Sequence, residues 1–175
     1  KVLFVCIGNI CRSPIAERLT AAYAMQAQIT GLRASSAGTR AVVGHPIHRA
    51  AALTLESLGG DSTNFSARQL TPQVASAADL VLTMTSAHRD LVLELAPRQF
   101  KRTFTLVEAA RIVSDCSPGS VADLASLRSC VPAAAELSIP DPIGQGVSAF
   151  AMVGDQIAQA LARVLDLCAI PLTSE

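Results

Sequence analysis

The chain alternates between short apolar runs and longer segments in which apolar residues recur every three or four positions. The runs at residues 2–5 and 80–84 are rich in strand-forming residues and predict buried strands. Weaker strands are predicted at residues 32–36 and 103–106. Because strands and helices alternate, the order predicts a single α/β domain with a parallel sheet, helices on both faces and right-handed crossovers.

Local signals place the helices between these strands. An N-cap residue followed by proline marks helix starts at Ser13-Pro14 and Thr71-Pro72, and Gly59-Gly60 marks a helix end. The predicted helices cover residues 15–27, 46–58, 86–95, 121–131 and 147–167, with a short one after Thr71. Residues 114–118 and 132–145 are predicted loops. The last helix carries one apolar stripe and is expected to close the core.

The composition fits one domain spanning residues 1–175. Half of the residues are apolar and 16% are charged, enough for one well-packed core. The formal net charge is zero, so no basic field favours nucleic acid or an acidic membrane as a partner. No apolar run approaches the roughly 20 residues of a membrane span, and the opening strand is too short for a signal peptide. A cytoplasmic protein is therefore expected, with Lys1 as a trimmed or truncated start.

The cysteines and histidines predict neither a metal site nor a disulfide framework. Five cysteines are an odd number and lack Cys-x-x-Cys spacing. His45 and His48 are close in sequence, but a zinc ion would need a third ligand and only His88 remains. Capping or solvated histidines are expected instead, and the predicted chemistry needs no metal and no cofactor.

The chemistry is predicted in the stretch after the first strand, which reads C-I-G-N-I-C-R-S-P at residues 6–14. Gly8 and Asn9 suit a tight turn in which φ is positive. A strand, a short loop and a helix N-terminus in this order form a cradle of backbone N–H groups that binds anions. Such a cradle favours the thiolate form of Cys6.

Arg12 lies six residues after Cys6, and its planar guanidinium can hold two phosphate oxygens in a way that lysine cannot. The hydroxyl of Ser13 can also donate to the thiolate. The alternative is a buried structural Cys6 beside a surface Arg12, since Cys-x5-Arg alone is a weak pattern. The strand, loop and helix around it favour the phosphate site.

Asp141 is the predicted general acid. Pro140 and Pro142 restrict the backbone on both sides and so fix the direction of its side chain. Cleavage of a phosphate ester at such a site needs a proton for the leaving oxygen, and a positioned carboxylic acid typically accelerates this step by about 10²–10⁴-fold. The alternative is an ordinary turn aspartate, which Pro-Asp-Pro alone favours equally.

The stretch V-C-I-G-N-I-C-R-S-P at residues 5–14 resembles the signature of the low-molecular-weight protein tyrosine phosphatases. Other stretches match that family in order: S-A-G-T at 36–39, A-R-Q-L at 67–70, D-L-V-L-T-M at 79–84 and P-D-P at 140–142. The resemblance spans most of the chain and is weakest at about residues 112–137. It implies a doubly wound domain with a four-stranded sheet of order 2-1-3-4, and hydrolysis of phosphotyrosine through a cysteinyl phosphate.

The resemblance also implies residue roles. Cys6 is implied as the nucleophile, Arg12 as a phosphate ligand, and Asp141 as the general acid and later the base that activates water. The other loop residues are implied to bind phosphate or support the loop: Ile7, Gly8, Asn9, Ile10, Cys11 and Ser13. The implied strand order reverses beside strand 1, which places the loop at a switch point where ligands bind. A histidine that supports the asparagine in family members is replaced here by Phe65.

Several alternatives stay open. Arginine phosphatases of the same scaffold generally carry threonine where this chain has Ile10, and an apolar wall favours an aryl ring over a guanidinium. The aromatic residues that often follow Asp-Pro are replaced by I-G-Q-G at 143–146, which predicts an open and weakly selective mouth of the site.

Arsenate reduction would need a cysteine relay, and Cys116 and Cys130 do not lie where the relay is usually found. A phosphate-binding module without turnover is disfavoured because the full catalytic set is present.

Cys11 has two interpretations. It lies in the same loop as Cys6 and can trap the nucleophile as a reversible disulfide under oxidants, a pairing that the resemblance implies for some members. Alternatively, it is a small buried hydrophobic residue.

The expected partners are a phosphorylated protein or a small aryl phosphate, with inorganic phosphate as the product. The sequence predicts no oligomeric state.

Overall fold

The computed structural model describes residues 1–132 and 136–168. Four parallel strands form one sheet of order β2-β1-β3-β4, which confirms the predicted order. The strands are β1 (Val2–Cys6), β2 (Ala34–Gly38), β3 (Leu80–Thr83) and β4 (Thr103–Thr105). The single domain of residues 1–175 stays a prediction, since residues 133–135 and 169–175 lie outside the described part of the chain.

Six α-helices follow or connect the strands. They are α1 (Arg12–Gln26), α2 (Arg49–Ser57), α3 (Pro72–Ser76), α4 (Ser86–Leu95), α5 (Leu106–Cys116) and α6 (Val147–Cys168). Three 3₁₀ segments complete the described secondary structure: Pro97–Arg102, Val121–Ala125 and Arg128–Cys130. No helix among the described residues is long and apolar enough to cross a bilayer.

Helices cover both faces of the sheet because successive residues of its central strands point to opposite sides. Phe4 belongs to a buried cluster that includes residues of α1, α5 and α6, such as Ile112 and Ile157. Leu3 and Val5 belong to a second cluster with residues of α3 and α4. The apolar stripe of α6 is buried throughout, as predicted: Phe150, Val153, Ile157, Leu161, Val164 and Leu165.

Helices α1 and α2 begin at other residues than predicted, because residues near their starts form hydrogen bonds to the Cys6 loop. α1 begins at Arg12, so Ser13 lies inside the helix and does not cap it, and its hydroxyl bonds to Cys6 instead. α2 begins at Arg49 and not at residue 46, because the backbone of His48 donates to Ile10 O (2.7 Å) and its Nδ1 caps the helix through the Ala50 N–H. β2 lies two residues later than predicted.

The segment after β4 differs most from the prediction. Leu106 begins α5 and does not end a strand, and the helix starts with a capping box in which Thr105 and Glu108 bond to each other's backbone N–H. The helix predicted at residues 121–131 is wrong, because two short 3₁₀ segments occupy that stretch.

A disulfide joins Cys116 at the end of α5 to Cys130, a pairing that the cysteine pattern did not predict. Arg128 anchors the same segment to the core. Its guanidinium donates to Thr103 O and lies over the Phe104 ring at 4.2 Å. It also lies 3.8 Å from the Glu108 carboxylate. Segment 121–130 is therefore held to α5 by a covalent bond and to β4 by the half-buried Arg128.

Candidate active site

The candidate site lies at the carboxyl end of β1. This strand has β2 on one side and β3 on the other, so the chain order reverses beside it and leaves a crevice at that edge. The loop from Ile7 to Cys11 fills this position and leads directly into α1.

The carbonyl groups of the loop point outward and are held by the segment that follows β2. The carbonyls of residues 6, 7, 8 and 10 accept from the backbone N–H groups of residues 39, 40, 42 and 48, at 2.7–3.0 Å. A peptide unit whose carbonyl points outward turns the following N–H toward the opposite side. These four bonds therefore direct the loop's donors inward.

The N–H groups of residues 7–11 donate to no acceptor in the described part of the chain. Donors left without partners around a tight loop, next to the positive end of α1, form a site for a dianion. Asn9 takes the positive φ that makes the loop close, at 55°. Gly8 was expected to share that conformation but does not, since its φ is not in the left-handed region.

The side chain of Asn9 is fully buried and fixes the loop from within. Its Nδ2 donates to Ser13 Oγ (3.0 Å) and Ser36 Oγ (2.7 Å), and its Oδ1 accepts from the Arg68 backbone N–H (2.8 Å). Phe65 stands where a supporting histidine was expected. Ser36 is held instead by Glu17, whose Oε2 accepts the hydroxyl proton at 2.5 Å.

Cys6 lies at the base of the cradle and is 2% exposed. Its Sγ lies 3.0 Å from Ser13 Oγ. Because Ser13 Oγ already accepts from Asn9, its single proton is free to be donated to the sulfur. The network is therefore oriented to stabilise a thiolate at Cys6.

Arg12 connects the cradle to the segment that carries Asp141. Its guanidinium is 3% exposed; Nη1 donates to Ile139 O (3.0 Å) and Nη2 pairs with Asp141 Oδ2 (2.6 Å). Its Nε is buried and has no partner among the described residues. A buried N–H donor without an acceptor, beside a cradle of free N–H groups, is a further donor for an oxyanion.

Asp141 is positioned by β3 as well as by Arg12. The Ile139 N–H donates to Met84 O (2.8 Å), which fixes the segment at the end of β3. The Asp141 side chain is 40% exposed, and its Oδ1 accepts from the Ile143 N–H. The structure thus brings Asp141 to Arg12, next to the Cys6 loop, with one carboxylate edge open to solvent.

His88 is a site residue that the sequence did not reveal. It lies in the first turn of α4, just after β3, and is 3% exposed with Nδ1 unpartnered among the described residues. Burial lowers the pKa of His88 to about 4, and the nearby Arg12 charge lowers it further while Asp141 opposes this. No motif marked this position, because the proximity depends on how α4 follows β3.

Cys11 and Cys6 are both buried, and neither forms a disulfide. Burial raises the pKa of Cys11 to about 12, assisted by the charge of Cys6 and opposed by Arg12. The two loop cysteines therefore differ in chemistry. No group of three metal-binding side chains occurs within the described residues.

Aliphatic side chains surround the outer face of the loop. A Cβ at Gly8 would lie 3.4 Å from Ile10 and 3.6 Å from Val42, which places both side chains against this part of the loop. Val43 is 64% exposed, and Ile143 is 46% exposed after Asp141. Ile10 and Val42 therefore give this part of the loop aliphatic neighbours.

Comparison with known proteins agrees with this geometry. A family model of low molecular weight phosphotyrosine protein phosphatases matches residues 1–117. The low molecular weight protein-tyrosine-phosphatase Etp of Escherichia coli (strain K12) is 38% identical over 97 residues, which cover 55% of this chain and 62% of that protein. The protein-arginine-phosphatase of Geobacillus stearothermophilus is 38% identical over 106 residues, covering 61% of this chain and 68% of that protein. The match thus spans less than two thirds of the E. coli protein.

Solved structures are similar over nearly the whole chain. The crystal structure of the Erwinia amylovora tyrosine phosphatase AmsI has a TM-score of 0.72 at 27% identity, and that of the YwlE arginine phosphatase from Geobacillus stearothermophilus has 0.73 at 27%. Each likeness covers 94% of this chain and 90% of the other. Because the family model covers more than half of the 175 residues, including the Cys6 loop, this chain belongs to the low molecular weight phosphotyrosine protein phosphatase family.

Proposed function

We propose that this protein hydrolyses phosphotyrosine and related aryl phosphate monoesters through a cysteinyl-phosphate intermediate. One observation carries the proposal: Arg12, the first residue after the Cys6 loop, pairs with Asp141 at 2.6 Å across 129 positions of sequence. A nucleophile, an oxyanion cradle and a carboxyl group are thereby gathered at one edge of the sheet.

In the first half-reaction, the Cys6 thiolate attacks the phosphorus atom. The P–S bond forms as the P–O bond to the phenol breaks, and the leaving oxygen takes the proton of the Asp141 carboxylic acid. The free N–H groups of residues 7–11 and the Arg12 Nε hold the non-bridging oxygens. The Ser13 hydroxyl stabilises the thiolate before attack and the sulfur leaving group afterwards.

Asp141 pairs with Arg12 at 2.6 Å, and in the proposed first half-reaction its carboxyl group is the proton donor to the leaving oxygen.

In the second half-reaction, Asp141 is again a carboxylate and takes a proton from water. The water oxygen bonds to phosphorus, the P–S bond breaks, and inorganic phosphate leaves with the Cys6 thiolate restored. The residues of this chain supply every proton transfer in the scheme.

The aliphatic residues beside the loop support an aryl substrate. Ile10 and Val42 offer aliphatic contacts to a ring, whereas a phosphoarginine guanidinium would lose water there without gaining a polar partner. Hydrolysis of phosphoarginine is the second candidate, because the Geobacillus stearothermophilus relative named a protein-arginine-phosphatase is as similar in sequence as the tyrosine phosphatase Etp. Arsenate reduction has no comparable support, since the relatives named above are phosphatases.

The test of the chemistry is Cys6→Ser. It is expected to abolish turnover of aryl phosphates and retain phosphate binding, because the N–H cradle remains while a serine hydroxyl is not ionised. Turnover at the wild-type rate would overturn the thiolate mechanism.

The test of the substrate compares kcat/KM for phosphotyrosine and phosphoarginine in the wild-type protein and in Ile10→Thr. We expect phosphotyrosine to be preferred by the wild type, and the threonine to move the preference toward phosphoarginine. A wild-type preference for phosphoarginine would establish the second candidate and leave the roles of Cys6, Arg12 and Asp141 unchanged.

A further inference from the structure

A cavity of about 330 Å³ lies behind the phosphate loop, at the junction of α1, β2 and residues 64–68. Its described lining does not include the Cys6, Arg12 or Asp141 side chains. The volume is at the lower end of the range for small-molecule sites. The side chains that matter to its chemistry are Glu17, Arg18, Ser36, Phe65 and Arg68.

Two guanidinium groups leave donors unused at this cavity. Arg18 lies 5.6 Å from the Phe65 ring centre and donates one bond, from Nη2 to Asn64 O, while its buried Nε has no acceptor among the described residues. Arg68 is exposed; it donates from Nε to Ser36 O (2.6 Å), and its two terminal nitrogens donate to no described residue. Unused guanidinium donors are suited to a planar anionic acceptor.

The charge of the lining agrees with an anion. Arg18 and Arg68 contribute two positive charges, and Glu17 contributes one negative charge, which leaves one positive charge in excess. Glu17 is already engaged, because its Oε2 accepts the Ser36 hydroxyl and its Oε1 lies 3.9 Å from Arg18 Nε. The Phe65 ring adds an apolar wall suited to a flat body.

The cavity also connects to the nucleophile through an unbroken series of hydrogen bonds. Ser36 donates to Glu17 at 2.5 Å and accepts from Asn9 at 2.7 Å; Asn9 donates to Ser13 at 3.0 Å, and Ser13 lies 3.0 Å from Cys6 Sγ. The Arg68 backbone N–H donates to Asn9 Oδ1 as well. A change at the cavity therefore reaches the loop through groups that hold its backbone.

We propose that this cavity binds a small aromatic carboxylate, held by Arg18 and Arg68 against Phe65, and that its occupancy lowers the activity of the Cys6 site. Occupancy acts through this hydrogen-bond series, which holds the backbone of the Cys6 loop. The ligand does not occupy the phosphate loop, so kcat falls while KM for an aryl phosphate is unchanged. The kinetic part rests on the proposed phosphatase function, but the binding part does not.

The binding test uses benzoate as the probe and saturating inorganic phosphate to fill the catalytic cradle. Titration calorimetry should show benzoate binding that phosphate does not displace, and benzamide, the neutral isostere, should bind about tenfold more weakly. Arg18→Gln and Arg68→Gln should each weaken benzoate at least about tenfold. Arg98→Gln is the matched control, since Arg98 is exposed in the 3₁₀ segment before β4, at the opposite edge of the sheet.

The outcomes separate the two parts. No benzoate binding, displacement of benzoate by phosphate, or wild-type affinity for benzoate in both arginine variants would overturn the site. Circular dichroism checks that the variants are folded, and the two arginines provide independent tests. A loss of about fivefold in kcat at saturating benzoate, absent in Arg18→Gln, would support the coupling. Binding with unchanged kcat would overturn the coupling alone, and a protein without turnover would still report on binding.

Discussion

His88 should make the stability of this protein depend on pH over a window in which few other groups contribute. Burial beside Arg12 lowers its pKa from 6.5 to about 4 in the folded state, whereas the unfolded chain keeps the ordinary value. Between these values the unfolded state binds more protons, so stability rises with pH. A difference of about 2.5 pKa units corresponds to about 3 kcal/mol. This contribution is present above pH 6.5 and is lost as pH falls toward 4.

The assay is urea unfolding at a series of pH values from 4 to 7.5, followed by far-ultraviolet circular dichroism because the chain has no tryptophan. We expect the wild-type free energy of unfolding to fall by about 3 kcal/mol across this range. His88→Leu should remove most of that slope. His45→Gln is the matched control, since His45 is exposed and should leave the slope intact.

Other shifted groups titrate outside this window. Asp61 and Asp79 have lowered pKa values, through hydrogen bonds from Thr63 and from the Lys1 amine, so their contributions are lost only below about pH 4. The raised pKa of Cys11 matters only above pH 9. An identical slope in the wild type and in His88→Leu would refute the assignment of a buried neutral imidazole.

Three further predictions concern the loop and its acid. Asp141→Asn should slow hydrolysis by about 10²-fold for poor leaving groups and much less for p-nitrophenyl phosphate, as steady-state kcat would show; an equal loss for all leaving groups would argue against general acid catalysis. Gly38→Ala should lower kcat/KM by about 10²-fold, because its Cβ would lie 2.4 Å from Ile7 O and push the loop, while Gly31→Ala, which meets nothing within 4 Å, should be neutral. Peroxide inactivation, scored by activity regained after thiol treatment, should be reversible in the wild type and irreversible in Cys11→Ser. The rate of trapping should rise about tenfold per pH unit below the Cys11 pKa of about 12, and equal recovery of both proteins would remove the resolving role.

The parts of the fold that local chemistry determines were predictable. The apolar runs of β1 and β3 and the stripe of α6 lie where the pattern placed them. β2 was displaced by two residues because its bounds depend on pairing with β1, from Val2 opposite Ala34 to Cys6 opposite Gly38. A glycine can therefore end a strand when a close neighbour, here Ile7 O, leaves no room for a side chain.

The start of α5 carried a readable signal, the capping box from Thr105 to Glu108, but the apolar residues beside it were interpreted as a strand. The disulfide carried no such signal. Cys116 and Cys130 are 14 residues apart, and only the packing of segment 121–130 against the sheet brings them together. Pairings made by tertiary packing are not encoded in spacing.

The candidate site likewise contains residues that the local sequence revealed and residues that only the folded structure revealed. The loop residues from Cys6 to Ser13 were predictable because strand, loop and helix follow one another directly in sequence. His88 and the Glu17 support of Ser36 were not, because each depends on contacts between side chains of different elements, which only the packed fold brings together. Phe65, in place of the expected histidine, indicated that the loop needs a different support. It did not indicate which residue provides that support.

The bonds made by Arg12 have a consequence for the order of biosynthesis. The partners that hold the Cys6 loop, up to Arg68, are made early, whereas the two acceptors of the Arg12 guanidinium follow it by 127 and 129 residues. A nascent chain therefore carries Cys6 long before it carries Asp141. The Arg12 guanidinium gains both of its described acceptors only when translation has passed residue 141.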